Sequence, residues 1–228
     1  MATGHYIVAG KHDWVLRAFE SRRKSLKGTW SYCRTPEELD DQLSRGVSPD
    51  KIFFIHWSWR VTSEVLSRSD CICFHMTDLP FGRGGSPLQN LIIRGRDSTM
   101  LTALRMSDEI DAGPIYMKRE MSLEGKAQHI YERMSSLAME MAEDIVDSQP
   151  SAIPQEGQPL MFERRRPAES ELRDVNNIKE LYDHIRMLDA DGYPHAFLSM
   201  NGLRIEFTNA SCDSQSVTAS AKIFFEED

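Results

Sequence analysis

Short continuous apolar runs alternate with segments of helical period through the first third of the chain. His5-Tyr6-Ile7-Val8-Ala9 reads as a buried strand closed by Gly10, and from Trp14 to about Ser25 the residues Val15, Leu16 and Phe19 recur at helical spacing among charges. Thr29 to Cys33 predicts a second strand, after which Thr35-Pro36-Glu37-Glu38 puts a capping hydroxyl and a first-turn proline at the start of a helix. Lys51-Ile52-Phe53-Phe54-Ile55 predicts a third strand, a short helix covers about Glu64 to Arg68, and Cys71-Ile72-Cys73-Phe74 is a fourth strand. This alternation implies an α/β fold, a Rossmann-like, doubly wound, mostly parallel sheet. Its ligand crevice should open off the carboxyl ends of the strands.

Two segments fall at those ends. The third strand runs into His56-Trp57-Ser58-Trp59, and the fourth into His75-Met76-Thr77-Asp78-Leu79-Pro80-Phe81-Gly82-Arg83-Gly84-Gly85-Ser86-Pro87. Ser86-Pro87 then has the form of a cap and first turn for a helix carrying Leu88, Leu91 and Ile92. Thr99 to Met106 and Pro114 to Met121 predict two more strands, separated by Ser107-Asp108-Glu109-Ile110-Asp111-Ala112-Gly113. A long helix follows from about Lys126 to Asp147, its Met-rich stripe suited to core packing. The breaker-rich stretch around Pro150, Pro154 and Pro159 reads as the exit from a main domain of residues 1–166. Residues 167–228 predict a small C-terminal α+β subdomain: a helix from about Asn177 to Leu188, the turn Asp189 to Pro194, and antiparallel strands at 195–200, 203–208 and 216–225, with Asn201-Gly202 as a hairpin turn.

The 228 residues are 40% hydrophobic and 27% charged, which excludes a disordered chain, and four scattered cysteines exclude a disulfide scaffold. No apolar stretch approaches the roughly 20 residues that span a bilayer, and the opening MATGHYIVAG lacks the basic and long apolar regions of a signal peptide. A cytoplasmic protein without a membrane partner is expected. Asp+Glu 35 against Lys+Arg 27 leaves a net charge of −8, which disfavours a nucleic-acid partner, although the Arg164-Arg165-Arg166 cluster suits a small anion.

The chemistry gathers beside the expected crevice. A histidine directly after a strand, His75, can shuttle a proton, and an aspartate in a Gly-containing turn, Asp111, can orient it. Cys71, Cys73 and His75 share one strand face, as a metal site needs, but no fourth ligand stands at a suggestive spacing; the alternate cysteines are more simply small core residues, and no metal is expected. Trp57 and Trp59 suit a ligand contact as well as the core. Tyr193, in Gly192-Tyr193-Pro194, suits a structural corner better than a site contact.

The string His75-x-Thr77-x-Leu79-Pro80-x-x-Arg83-Gly84-x-x-Pro87-x-Gln89, followed by Thr102-Ala103-Leu104-Arg105-Met106 and Ile110-Asp111-Ala112-Gly113-Pro114-Ile115, resembles the formyltransferase family that uses 10-formyltetrahydrofolate. The likeness continues through Arg165-Arg166-Pro167, Ile185 to Asp189 and Gly192-Tyr193-Pro194-x-Ala196-Phe197. It implies His75 and Asp111 as catalytic residues. It also implies a folate bound between the Leu79-Pro80 loop and the 108–114 loop, with Trp57, Leu79, Pro80, Asp108, Ile110 and Gly113 as its contacts. Thr77, Arg83, Gly84 and Tyr193 become candidate contacts for the second substrate, Arg83 as an anion ligand for a diphosphate or the folate glutamate.

One position departs from the family pattern. Where the family carries an asparagine two residues before the histidine, whose amide donates to the oxyanion, this chain has Cys73, and a thiol is a poor donor. Asn90 is the first candidate to replace it, a backbone N–H the second. The resemblance spans methionyl-tRNA formyltransferases and sugar N-formyltransferases. The shortness of the chain after Pro167 and the negative charge favour a UDP- or dTDP-linked 4-amino-4,6-dideoxysugar of the pseudaminic-acid type as acceptor. A methionyl-tRNA formyltransferase-like enzyme and a non-catalytic folate or nucleotide-sugar binding homologue are the alternatives. The C-terminal strand edges offer a surface for a homodimer.

Overall fold

The computed structural model describes residues 4–173 and 175–225. In chain order the elements are β1 (His5–Ala9), α1 (Asp13–Arg22), β2 (Thr29–Cys33), α2 (Pro36–Ser44), β3 (Lys51–Phe54), α3 (Ser63–Arg68), β4 (Asp70–His75), β5 (Phe81–Gly84) and α4 (Pro87–Ile93). There follow β6 (Ser98–Arg105), β7 (Ile115–Ser122), α5 (Ala127–Ser148), β8 (Leu160–Phe162), α6 (Ile178–Arg186), β9 (Ala196–Met200), β10 (Leu203–Cys212) and β11 (Val217–Phe225). The helix starts obey their local chemistry. Thr35 Oγ1 accepts from the Glu38 N–H at 3.3 Å with Pro36 in the first turn of α2, and Asn177 Oδ1 accepts from the Glu180 N–H at 2.9 Å ahead of α6.

Two compact units share the chain. One takes the residues up to Arg83, Met100–Met121 and Glu132–Met161; the other takes Gly84–Thr99, Ser122–Tyr131 and the chain from Phe162. This partition differs from a single cut at residue 166, because two earlier segments fold with the C-terminal part. In that second unit Gln89 Nε2, on α4, donates to the Tyr131 hydroxyl at 3.1 Å and to the Met187 carbonyl at 3.0 Å, a bond across 98 residues.

The first unit is built on a sheet of strand order β2-β1-β3-β4-β6-β7. The pairs β1–β2, β1–β3 and β3–β4 are parallel and β4–β6 is antiparallel. The mostly parallel α/β fold read from the sequence is the one observed. Both faces of the central strands are buried, which is why these strands are continuous apolar runs. Ile7, Ala9, Ile52, Phe54 and Cys71 pack with Leu39 and Leu43 of α2 and Val65 of α3. The alternate residues Val8, Phe53 and Ile72 are equally buried and face the other layer, where Phe19 of α1 stacks on Tyr32 of β2 at 5.5 Å. In that layer α1 is tied to α5 by Arg22 and Glu143 at 2.5 Å.

Strand order reverses between β1 and β3, the usual position of a ligand crevice. Here an aromatic stack stands at that point. His12 lies flat on Trp14 with centroids 4.2 Å apart and meets His56 at 4.5 Å, while the Trp14 Nε1–H donates to His56 Nδ1 at 3.2 Å. The cleft of about 560 Å³ lies at the opposite, amino edge of the sheet. Its charges satisfy one another: Asp70 accepts from Lys51 at 2.5 Å, Arg105 at 3.0 Å and the Tyr116 hydroxyl at 2.7 Å.

In the second unit the sheet order is β11-β10-β9, antiparallel throughout, and Asn201 and Gly202 turn β9 into β10 with φ of 54° and 76°. Positive φ at both positions is the geometry for which Asn-Gly is suited. β10 runs past the expected end at Thr208, through a register shift between Thr208 and Ser211. Two short strands escaped the sequence pattern, β5 and β8, which pair with each other. β5 is Phe-Gly-Arg-Gly, whose glycines carry no strand signal. Buried Arg186 anchors this unit: its Nε donates to Asp183 at 2.6 Å and its Nη1 to the carbonyls of Leu123 at 2.7 Å and Gly125 at 2.9 Å. Among the described residues no helix is long and apolar enough to cross a membrane.

Removing the guanidinium takes the donor from the Leu123 and Gly125 carbonyls and leaves the buried Asp183 carboxylate with Lys179 as its cation. Arg186→Met should therefore lower unfolding stability by about 3 kcal/mol, read as a shift of the urea midpoint; a midpoint within error of the parent chain would refute it. The histidine stack generates a second expectation. Burial lowers the pKa of His56 to about 3 and of His12 to about 4, from an ordinary 6.5, with neighbouring positive charge adding to the effect. The unfolded chain thus binds more protons than the native one below 6.5. Stability present in full above that pH is lost as pH falls toward 4, at no more than about 1.4 kcal/mol per pH unit for each histidine. His56 has φ 51°, which Asn tolerates, so in thermal melts from pH 7 to 4 His56→Asn should show a shallower decline than the parent chain.

Candidate functional site

The carboxyl end of β4 delivers His75 to the crevice edge of the first unit, one strand away from β3 and paired across to Thr102 of β6. Its Nε2 lies 2.7 Å from the Gly82 carbonyl oxygen. A carbonyl cannot donate, so Nε2 carries the proton and Nδ1 is the basic nitrogen of the neutral ring. Nδ1 in turn lies 3.4 Å from Asp111 Oδ2, with the two side chains 10% and 15% exposed. The sequence-predicted pair is therefore assembled in space, across 36 residues of chain, at a distance a proton on Nδ1 would shorten into a charge-assisted bond.

The loop after β4 is braced at each turn. Thr77 is fully buried; its Oγ1 donates to the Gly82 oxygen at 3.3 Å and its own carbonyl accepts from Thr102 Oγ1 at 2.6 Å. The Leu79-Pro80 peptide is cis, and Lys118 Nζ donates to the Leu79 carbonyl at 2.6 Å and to Asp78 at 2.5 Å. Leu79 is itself buried in the core, while Pro80 is partly exposed.

The second loop carries Asp111 in the left-handed region, φ 52°, a conformation uncommon for a residue other than glycine. Gly113 is required two residues on, since a Cβ there would stand 1.8 Å from the Arg105 carbonyl oxygen. Asp108 and Ile110 lie on the exposed part of this loop, Ile110 68% exposed although apolar. Gln155 spans the loop, its Nε2 donating to the carbonyls of Asp111 at 2.7 Å and Gly113 at 2.9 Å.

Arg83 is placed differently from a free anion contact. Its Nε and Nη2 donate to Gln155 Oε1 at 3.1 and 2.9 Å, and its Nη1 to Glu109 at 3.3 Å, with the side chain 12% exposed. Trp57 packs edge-on against Phe54 at 5.6 Å and Trp59 at 4.8 Å, at the margin of the core. Cys73 precedes His75 on the same strand face, and its thiol pKa is raised, first by burial and then by the Asp111 carboxylate. It stays a protonated thiol, a weak donor beside the pair.

Asn90, Gly84 and Tyr193 belong to the second unit. The Asn90 amide donates to the carbonyls of Gly85, Ser86 and Glu163 at 3.2, 3.1 and 3.0 Å, and its Oδ1 accepts from Arg94 at 2.9 Å. Both amide protons are engaged, so an oxyanion would have to displace a main-chain acceptor; the residue braces the start of α4. Tyr193 stacks on Tyr131 with ring centroids 5.3 Å apart. Gly84 ends β5 with φ 101°. Among the described residues no group of three His, Cys, Asp or Glu side chains converges on a metal position.

Sequence reasoning missed Gln155 and Lys118, and gave Thr102 no role beyond its place in the motif. Gln155 sits in the proline-rich stretch read as an exit linker, and no local pattern marks a side chain whose partners lie 42 to 72 residues away.

A family model described as the C-terminal domain of methionyl-tRNA formyltransferase matches residues 167–224. A solved methionyl-tRNA formyltransferase from Clostridium thermocellum is 36% identical, with a TM-score of 0.93, over 98% of this chain and 100% of that one. The methionyl-tRNA formyltransferase of Thermodesulfovibrio yellowstonii is 22% identical over 75% of this chain and 59% of its own length, so the chain spans less than two thirds of that curated relative. A sugar N-formyltransferase from a Shewanella species shares the fold, with a TM-score of 0.67 and 15% identity over 91% of this chain and 97% of that one. The full-length match to the Clostridium structure makes this chain a member of the formyltransferase family, with the methionyl-tRNA formyltransferase-like fold.

Proposed function

We propose that this protein transfers the formyl group of 10-formyltetrahydrofolate to the nitrogen of a primary amine. The observation that carries this reading is the His75–Asp111 pair, with Nδ1 3.4 Å from the carboxylate and Nε2 anchored 2.7 Å from Gly82 O, inside loops that bear the family signature. Attack by a neutral amine on the formyl carbon leaves a proton on the nitrogen and negative charge on the formyl oxygen. The pair formed by His75 Nδ1 and the Asp111 carboxylate, 3.4 Å apart, takes up the amine proton as a unit, the imidazolium form being stabilised by the carboxylate, and the pair returns one proton to the departing folate nitrogen. The partly exposed Pro80 and the outward Ile110 offer apolar surface for the flat folate ring beside this pair, with Asp108 on the same loop as a polar contact. The thiol of Cys73 contributes little to the oxyanion.

Methionyl-tRNA is the first acceptor in this reading, since the Clostridium and Thermodesulfovibrio relatives are both named for it. A UDP- or dTDP-linked amino sugar is the second. It is supported by the net charge of −8, which suits a small acceptor better than a polyanion, and by the fold shared with the Shewanella enzyme.

Mass spectrometry of the purified protein with 10-formyltetrahydrofolate and a panel of both acceptor types should show a gain of one formyl group on one of them. His75→Ala and Asp111→Asn should each lower kcat by about 10²-fold or more. Full activity in His75→Ala, or no transfer to any amine in the panel, would overturn the reading. Cys73→Asn, which restores an amide donor two residues before His75, should raise kcat by up to about 10²-fold.

A further inference from the structure

The structure assigns a task to Gln155: we infer that it is a positioning residue that holds the Asp111 loop in register with His75, and that Arg83 orients it. This rests on the reading that the His75–Asp111 pair carries the transfer.

A glutamine side chain offers two N–H donors and two acceptor lone pairs. All four are used here, two protons on the Asp111 and Gly113 carbonyls and two lone pairs on Arg83 Nε and Nη2. Both carbonyls flank the strained part of the loop. Asp111 has φ 52°, a cost the surroundings must offset, and Gly113 is pressed against the Arg105 carbonyl with no room for a Cβ. Gln155 supplies both carbonyls with donors from outside the loop, on either side of the residue whose carboxylate faces His75.

The other end of the clamp reaches the histidine. Arg83 directly follows Gly82, whose carbonyl accepts from His75 Nε2 at 2.7 Å and Thr77 Oγ1 at 3.3 Å. One short path therefore runs from the imidazole through Gly82 and Arg83 to Gln155, and from there to the backbone of the carboxylate that faces the same imidazole. Because Arg83 donates only, it fixes which end of the Gln155 amide is oxygen, and so turns the NH₂ toward the loop. A bare carboxamide could lie either way round.

Gln155→Glu tests this directly. It keeps the length and the Arg83 contact but replaces the donor with an oxygen facing two carbonyls. With a displacement of about 1 Å costing on the order of 10²-fold, kcat should fall by about that factor while the KM for the formyl donor and for the amine stays close to the parent value. The discriminating readout is a double-mutant cycle: in an Asp111→Asn background the same substitution should lower kcat no further, because its effect acts through the carboxylate. Should the thermal midpoint show that Gln155→Glu fails to fold, Gln155→Met, which loses the bonds without adding repulsion, is measured in the same cycle. A kcat unchanged in the folded variant, or a full additional loss on top of Asp111→Asn, overturns the inference while leaving the activity of the parent chain intact. A parent chain that transfers no formyl group overturns the functional reading and this inference with it. The two failures are thus told apart by the parent assay alone.

Discussion

Burial of both faces of β1, β3 and β4 is the constraint on which the rest depends. Ile7, Val8, Ile52, Phe53 and Ile72 are all fully buried, some facing α2 and α3, the others facing the layer of α1 and α5. Strands of this kind leave no position along their length where a polar group can do chemistry in contact with a ligand. Function is displaced to the strand ends, where the chain must also turn, and the turning segments carry carbonyls that need donors. The first unit answers both demands with the same residues.

That double use explains why the site is dense in side chain to carbonyl bonds. His75, Thr77, Thr102, Lys118 and Gln155 all contact main-chain oxygens of the two loops, those of Gly82, Thr77, Leu79, Asp111 and Gly113. A donor aimed at a carbonyl fixes a loop more sharply than apolar packing does, since the bond weakens steeply with angle. The outcome is a histidine of defined tautomer, its protonated nitrogen bonded to backbone and its other nitrogen turned to the carboxylate.

The same accounting changes how two motif residues are understood. Arg83 reads in the sequence as a cation offered to an anionic ligand, yet its guanidinium is bonded within the protein to Gln155 and Glu109. Asn90 reads as a spare amide donor, yet three carbonyls surround its nitrogen. Motif residues in tight loops are under two pressures, from ligand and from backbone, and a one-dimensional pattern cannot tell which of them holds the hydrogen bonds.

The sequence by itself determined the α/β alternation, the helix starts at Thr35 and Asn177 and the Asn201-Gly202 turn, and it singled out His75 and Asp111 as a candidate pair. Each of these rests on a local cause: side-chain periodicity, a capping oxygen, a positive φ, or a motif whose spacing survives in one dimension. Only the tertiary structure decided that β4 pairs antiparallel with β6, that Phe81–Gly84 forms a strand with Leu160–Phe162, and that segments 84–99 and 122–131 fold with the C-terminal unit. It alone drew Gln155 out of a proline-rich stretch to hold the Asp111 loop. The physical reason is common to all of them: a hydrogen bond between groups 27 to 98 residues apart depends on how the layers stack, and no local preference of either partner encodes it.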